Sequence, residues 1–185
     1  MLHRPRAELR YYLLDCPSHE FVLDAYVDSD WAGDLSSRRS TSGLLVMAGE
    51  HCLKHASLLQ SQVGLSSGEA EFYALCRGAA SGLGLLSYLA DLGIQGTLRC
   101  HSDSSAARSV ASRRGLGKLR HVHTRYLWLQ SQVAAKTLSL RCVLGTQNPA
   151  DCLTKPLAEH DLLKHCQRAG LSYEISASSG CGDPG

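Results

Sequence analysis

Carboxylates are the residues of this sequence whose placement asks for chemistry. Glu71 lies in the segment SSGEAEFYAL (66–75). The spacing predicts a helix over 70–92 whose apolar face carries Leu75, Ala79, Leu86 and Leu89, and Glu71 shares that face. A carboxylate turned toward a core is costly unless it is paired or binds a cation. Its other explanation is a first-turn acid favoured by the helix dipole. Glu69, two positions earlier and on roughly the opposite side, is accounted for by an S-x-x-E capping box with Ser66. Asp28 closes the alternating run FVLDAYVD (21–28) and could open the turn that follows. Asp103 follows TLRCHS (97–102) and reads as the N-cap of the next helix. Asp151 stands three positions after Asn148, at a helix start where the dipole favours an acid.

Each acid has a structural explanation alone; their common placement points elsewhere. Three of them sit at strand ends or helix starts, where a fold of sheet and helices gathers residues from distant parts of the chain. Four carboxylates from four elements would make an oxygen-only, strongly anionic pocket, suited to Mg²⁺ or Mn²⁺ and poor for zinc. Two such ions about 3.5–4 Å apart can activate a water and stabilise the leaving oxygen in phosphodiester hydrolysis. Asp24 and Asp30 are rival acids on the same first strand.

The elements that must position these acids follow from periodicity. Residues 21–28 predict a strand, 29–42 a polar loop, and GLLVMAGEHCLKHASLL (43–59) a hairpin around Gly49-Glu50. After the helix over 70–92, closed by Gly93, come a strand at 97–102 and a helix at 103–112. An amphipathic helix over 121–135, a strand over 138–144 and a last helix opening at Asn148-Pro149 complete the series. Three antiparallel strands followed by alternating units predict an α/β fold, a mixed sheet with helices on its faces. Residues 1–19 read as the remnant of a preceding segment, 20–170 as the domain, and 171–185 as a disordered tail.

With 185 residues and 44% hydrophobic content, the chain suits one substantial core. The net charge of +2 is unevenly spread: no acid falls between Asp103 and Asp151, where Arg113, Arg114, Lys118, Arg120 and Arg125 cluster. Such a stretch suits a polyanion, or is a solvated basic surface. The eight cysteines contain no CxxC pair, which argues against a zinc site; Cys52 with His51 and His55 has no matching second pair. Cys76, Cys100 and Cys142, in apolar runs, read as free core thiols, so no disulfides and a reducing compartment are expected. The opening MLHRPRAELR has no apolar core of a signal peptide, and no apolar run approaches a membrane span of ~20 residues. A soluble intracellular protein without membrane contact is expected.

Six blocks carry a family resemblance: YVDSDWAGD (26–34), RRSTSG (38–43), SSGEAEFYAL (66–75), SDSSAA (102–107), LRHVHTRY (119–126) and NPADCLTKPL (148–157). In this order they resemble the ribonuclease H (RNase H) domain of copia-type retrotransposon Pol polyproteins, over roughly 22–160. The resemblance implies an RNase H-like fold, a five-stranded mixed sheet with three antiparallel strands first, flanked by helices. It implies an endonuclease that cuts the RNA strand of RNA–DNA hybrids during reverse transcription, using two Mg²⁺ or Mn²⁺ ions. Residue by residue it makes Asp28, Glu71, Asp103 and Asp151 the catalytic, metal-holding acids. Lys118, Arg120, His121 and Arg125, flanking an amphipathic helix, are expected to contact the hybrid's phosphates. The implied partners are the hybrid and the reverse transcriptase domain of the same polyprotein, in a cytoplasmic particle or the nucleus. Two departures stand out. The stretch VLGTQNPAD lacks the histidine of the cellular enzymes' loop, and Ser104 replaces an asparagine after Asp103. The alternative is a catalytically inactive retroelement remnant that at most binds nucleic acid.

Overall fold

The computed structural model describes residues 6–9, 21–115, 117 and 124–174. The central sheet is built from β2 (Phe21–Ser29), β3 (Thr41–Ala48), β4 (His51–Leu59), β5 (Gly96–Ser102) and β6 (Leu138–Cys142), in the order β4-β3-β2-β5-β6. β3 runs antiparallel to both of its neighbours, β2 and β4, whereas β5 runs parallel to β2 and β6 parallel to β5. A separate ribbon pairs β1 (Arg6–Leu9) with β7 (Leu171–Glu174), so described parts of the two flanking segments meet each other.

Alternation along β2 explains the two faces. Leu23, Ala25 and Val27 enter the main core with Phe72, Leu75 and Ala79 of α1 (Ser67–Asp91). Tyr26 packs on the other face, against a smaller cluster of Leu45, Met47, Cys52 and Ala169. Helix α1 lies close on the sheet because Gly78 faces Val27; a Cβ there would meet the Val27 Cγ1 at 2.3 Å. Its N-cap is Ser66, as expected, and Leu92 and Gly93 end it.

Several expectations need correction. α2 (Ser105–Ser112) is capped by Ser104, whose hydroxyl accepts the Ala107 N–H at 3.1 Å. Asp103 lies one residue too early for that bond, which leaves its carboxylate free of capping. Among the described residues of the helix expected over 121–135, α3 (Trp128–Ala134) is α-helical and a 3-10 turn Thr124–Leu127 precedes it. There Tyr126 is held sideways, its ring 4.3 Å from that of Tyr73 and its carbonyl 3.5 Å from the Cys76 thiol. Nor does the last helix run on from Asn148. Asn148 caps as expected, but a 3-10 turn Pro149–Leu153 follows, and α4 (Glu159–Arg168) starts afresh. Pro156 supplies no N–H and disfavours helical backbone at Lys155.

None of the six described cysteines takes part in a disulfide. Cys76 and Cys100 are buried as expected, but Cys142 is exposed, because β6 is an edge strand whose end leaves the core. No described helix is long and apolar enough to cross a membrane.

Candidate metal centre

β2 and β5 are in register, Asp24 opposite Arg99 and Tyr26 opposite His101. Continued by two residues, that register brings Asp28 level with Asp103. The N-terminal end of α1 adds Glu71, whose Oε1 accepts the Ser29 N–H at 3.3 Å. Carboxylate oxygens of Asp28, Glu71 and Asp103 lie within 4.8 Å of one another. Gln60 ties this end together: its amide donates to the Ser42 hydroxyl (2.8 Å), the Ser29 hydroxyl (3.2 Å) and the Ala70 carbonyl (2.9 Å).

Electrostatics shows what the cluster lacks. Burial pushes Glu71 up to about 9, and the charges of Asp28 and Asp103 add to the shift against a smaller opposing pull from the Ser29 N–H and Lys155. Asp28 is raised for the same first reason, burial, with Asp151 and Asp103 adding to it and the Thr154 hydroxyl opposing. The Glu71 Oε2 is buried and has no hydrogen-bond partner. A cluster of hard oxygens with a buried lone pair left over is what a divalent cation of the Mg²⁺ or Mn²⁺ type requires, so the residues fit such an ion.

The fourth acid is placed differently. Asp151, on the turn Pro149–Leu153, pairs with Lys155 at 2.5 Å, and its charge reaches Asp28. The rival acids are occupied. Asp30 accepts the Thr41 N–H within its loop. Asp24 is buried against Arg99 (2.7 and 2.6 Å) and His101 (2.6 Å). Glu69 lies far deeper than a capping role asks, 1% exposed, and accepts the Leu65 N–H at 3.1 Å and the Tyr73 hydroxyl. The loop before α1 covers that side of its first turn, so the Glu69 side is the more deeply closed and Glu71 is half-buried.

Among the basic candidates, Arg125 falls in the turn Thr124–Leu127, while Lys118, Arg120 and His121 lie outside the described residues. Sequence reading missed a cavity of about 650 Å³ beside α1, lined in part by Lys54, Arg77, Tyr88, Tyr126 and Trp128. These come from β4, α1 and the stretch that joins the turn Thr124–Leu127 to α3, so no single local pattern announces them. It missed also the contacts of Gly43, Asn148 and Thr154 around Asp28, although all three sit inside the recognised blocks.

The fold defines the class: an RNase H-like domain. LC11-RNase H1, isolated from compost, is similar with a TM-score of 0.50 at 17% identity, covering 71% of this chain and 91% of that one. RNase H1 from the halophilic archaeon Halobacterium salinarum is similar with a TM-score of 0.51 at 17% identity, over 72% and 94%. At such identity these likenesses concern the fold alone. In sequence, the chain is 31% identical over 137 residues to the retrovirus-related Pol polyprotein from transposon TNT 1-94 of Nicotiana tabacum, covering 72% of this chain. It is 29% identical over 183 residues to that from transposon RE2 of Arabidopsis thaliana, covering 92%. The chain is a homologue of a segment of retrovirus-related Pol polyproteins from plant transposons, the copia-type group its motifs resemble. It spans 10–12% of the length of these curated relatives. No family model matches it.

Proposed function

We propose that this domain is a ribonuclease H that hydrolyses the RNA strand of RNA–DNA hybrids and belongs to the reverse transcription machinery of a Pol polyprotein. The observation that carries the reading is the meeting of Asp28, Glu71 and Asp103 from three distant segments, with a buried Glu71 oxygen unpartnered, at the strand ends of an RNase H-like sheet. Asp28, Glu71 and Asp103 would hold one divalent cation; Asp28 and Asp151 would hold a second, with Lys155 releasing Asp151. Bound there, two cations supply activation of the attacking water and stabilisation of the leaving oxygen.

The chain's own part is to fix the carboxylates before substrate arrives. Ser29 N–H holds one oxygen of Glu71 and the Thr154 hydroxyl one oxygen of Asp28, so the ligands need little reorganisation. In-line hydrolysis leaves a 3′-hydroxyl and a 5′-phosphate. The cavity beside α1 offers the cations Lys54 and Arg77 and the aromatic rings of Tyr88, Tyr126 and Trp128, a pairing that suits phosphates and unpaired bases near a nucleic-acid backbone. Lys118, Arg120, His121 and Arg125 are proposed to contact phosphates of the hybrid, and the polymerase domain of the same polyprotein is the proposed partner.

The test is cleavage of a labelled RNA–DNA hybrid in Mg²⁺ or Mn²⁺ beside Asp28→Asn and Glu71→Gln. Metal-dependent cutting of the RNA strand, lost in both variants, is expected. A folded wild-type protein that binds metal and hybrid yet leaves the RNA intact would make this an inactive remnant.

A further inference from the structure

The segments RRSTSG and NPADCLTKPL, far apart in sequence, meet beside Asp28. Gly43 is the ladder partner of Asp28 on β3. A Cβ added to it would lie 2.6 Å from the Ala150 carbonyl oxygen, 2.8 Å from the Thr154 Cγ2 and 3.1 Å from the Leu153 Cβ. Only a glycine lets the turn Pro149–Leu153 settle directly on the backbone of that strand. Two further bonds pin the turn. The Asn148 Nδ2 donates to the Val27 carbonyl at 2.8 Å, and the Ser57 hydroxyl donates to the Leu153 carbonyl at 2.6 Å. The Thr154 hydroxyl then donates to the Asp28 Oδ2. Both side chains are nearly closed to solvent, Asp28 5% and Thr154 8% exposed.

We infer that Thr154 is a positioning residue for the metal site: it holds one oxygen of Asp28 so that the other is turned toward the cation, on a turn that Gly43 admits. The inference rests on the metal reading proposed above. The terminal torsion of an aspartate is broad, so without a donor on Oδ2 the carboxylate of Asp28 samples orientations that a cation does not need. Groups that orient metal ligands from outside the coordination sphere typically change affinity or activity by about 10–100-fold when removed. A purely structural role is the competing account, because the same hydroxyl lies 3.0 Å from the Asp151 carbonyl and could serve the turn alone.

Thr154→Val removes the hydroxyl at nearly constant volume, and Thr154→Ser keeps it while removing the methyl. The deciding readout is the Mn²⁺ affinity of the folded, substrate-free protein, titrated by electron paramagnetic resonance, with kcat and KM on the hybrid alongside. Thr154→Val is expected to weaken Mn²⁺ binding roughly tenfold or more and lower kcat, with KM for the hybrid unchanged, while Thr154→Ser binds Mn²⁺ near the wild-type level. Wild-type Mn²⁺ affinity in Thr154→Val overturns the inference; so does a Thr154→Ser as weak as Thr154→Val, since the methyl would then be what matters. If Thr154→Val does not fold, as melting curves will show, Thr154→Ala makes the same comparison. Asp28→Asn, titrated in parallel, separates the two levels. If it too binds Mn²⁺ normally, the metal reading itself fails; if it alone loses binding, only the role of Thr154 fails.

Discussion

Two clusters of ionisable side chains sit one step apart on the same pair of strands, and they are opposites. Toward the middle of β2 and β5, Asp24 is closed in by Arg99 and His101, with the His101 ring stacked on Tyr26 at 4.5 Å. Burial would raise Asp24, but hydrogen bonds from His101 and Arg99 outweigh it and bring the acid down to about 2. At the strand ends, Asp28 is buried and Glu71 half-buried beside the exposed Asp103, with Lys155 as a weak counter-charge, and Asp28 and Glu71 are both raised. Two acids four residues apart on one strand are thus a completed ion pair and an open demand for positive charge. Being an acid on a strand says little about role; the partner across the ladder decides it.

The largest expected difference between the clusters is catalytic. On the proposed reading, Asp28→Asn lowers the hybrid cleavage rate by about a hundredfold or more, whereas Asp24→Asn leaves it near wild type. Comparable losses from both substitutions, in folded proteins, would erase the distinction.

Stability should move in opposite directions for the same chemical change. Glu71 is raised from an ordinary value near 4.5 to about 9, so between these values the folded protein holds a proton that the unfolded chain has lost. Metal-free stability must therefore fall as pH rises through that window. Removing the titrating group with Glu71→Gln is expected to stabilise the metal-free protein at pH 8 and to flatten the pH slope. Denaturant titrations in EDTA at pH 5 and pH 8 measure both, and an unaltered slope would contradict the assignment. Asp24 has the reverse sign. Its lowered value contributes stability that is present above its ordinary 3.8 and is lost as pH falls toward 2. Asp24→Asn is expected to cost about 1 kcal/mol at neutral pH, a modest figure because the Arg99 side chain is 42% exposed.

The smallest effect belongs to the basic stretch. Replacing Arg120 and Arg125 with Ala should raise the hybrid Kd and reduce the slope of log K against log salt by about 2, near one for each phosphate left without its cation. A slope identical to wild type would assign these cations to solvent.

Much of this was legible beforehand, for identifiable reasons. Alternation in 21–28 and the helical period after Ser66 report directly on burial, so the strand and the helix that carries the half-buried Glu71 could be read locally. What failed were features set by competition between neighbours. Ser104 took the cap expected of Asp103, and Pro156 divided a helix that Asn148 had opened. Glu69 passed as a surface cap because the loop that buries it approaches from outside the helix's own periodicity.

The sequence by itself determined the order of elements and the set of acids, because periodicity and motif spacing are properties of a chain read in one dimension. The opposite surroundings of Asp24 and Asp28 needed the parallel pairing of β2 with β5, which sets Arg99 and His101 against one acid and Asp103 level with the other. The grip of Thr154 on Asp28 spans 126 residues and exists only because Gly43 leaves room for the turn. Such a grip depends on which backbones approach within a few ångströms, and only the tertiary structure decides that.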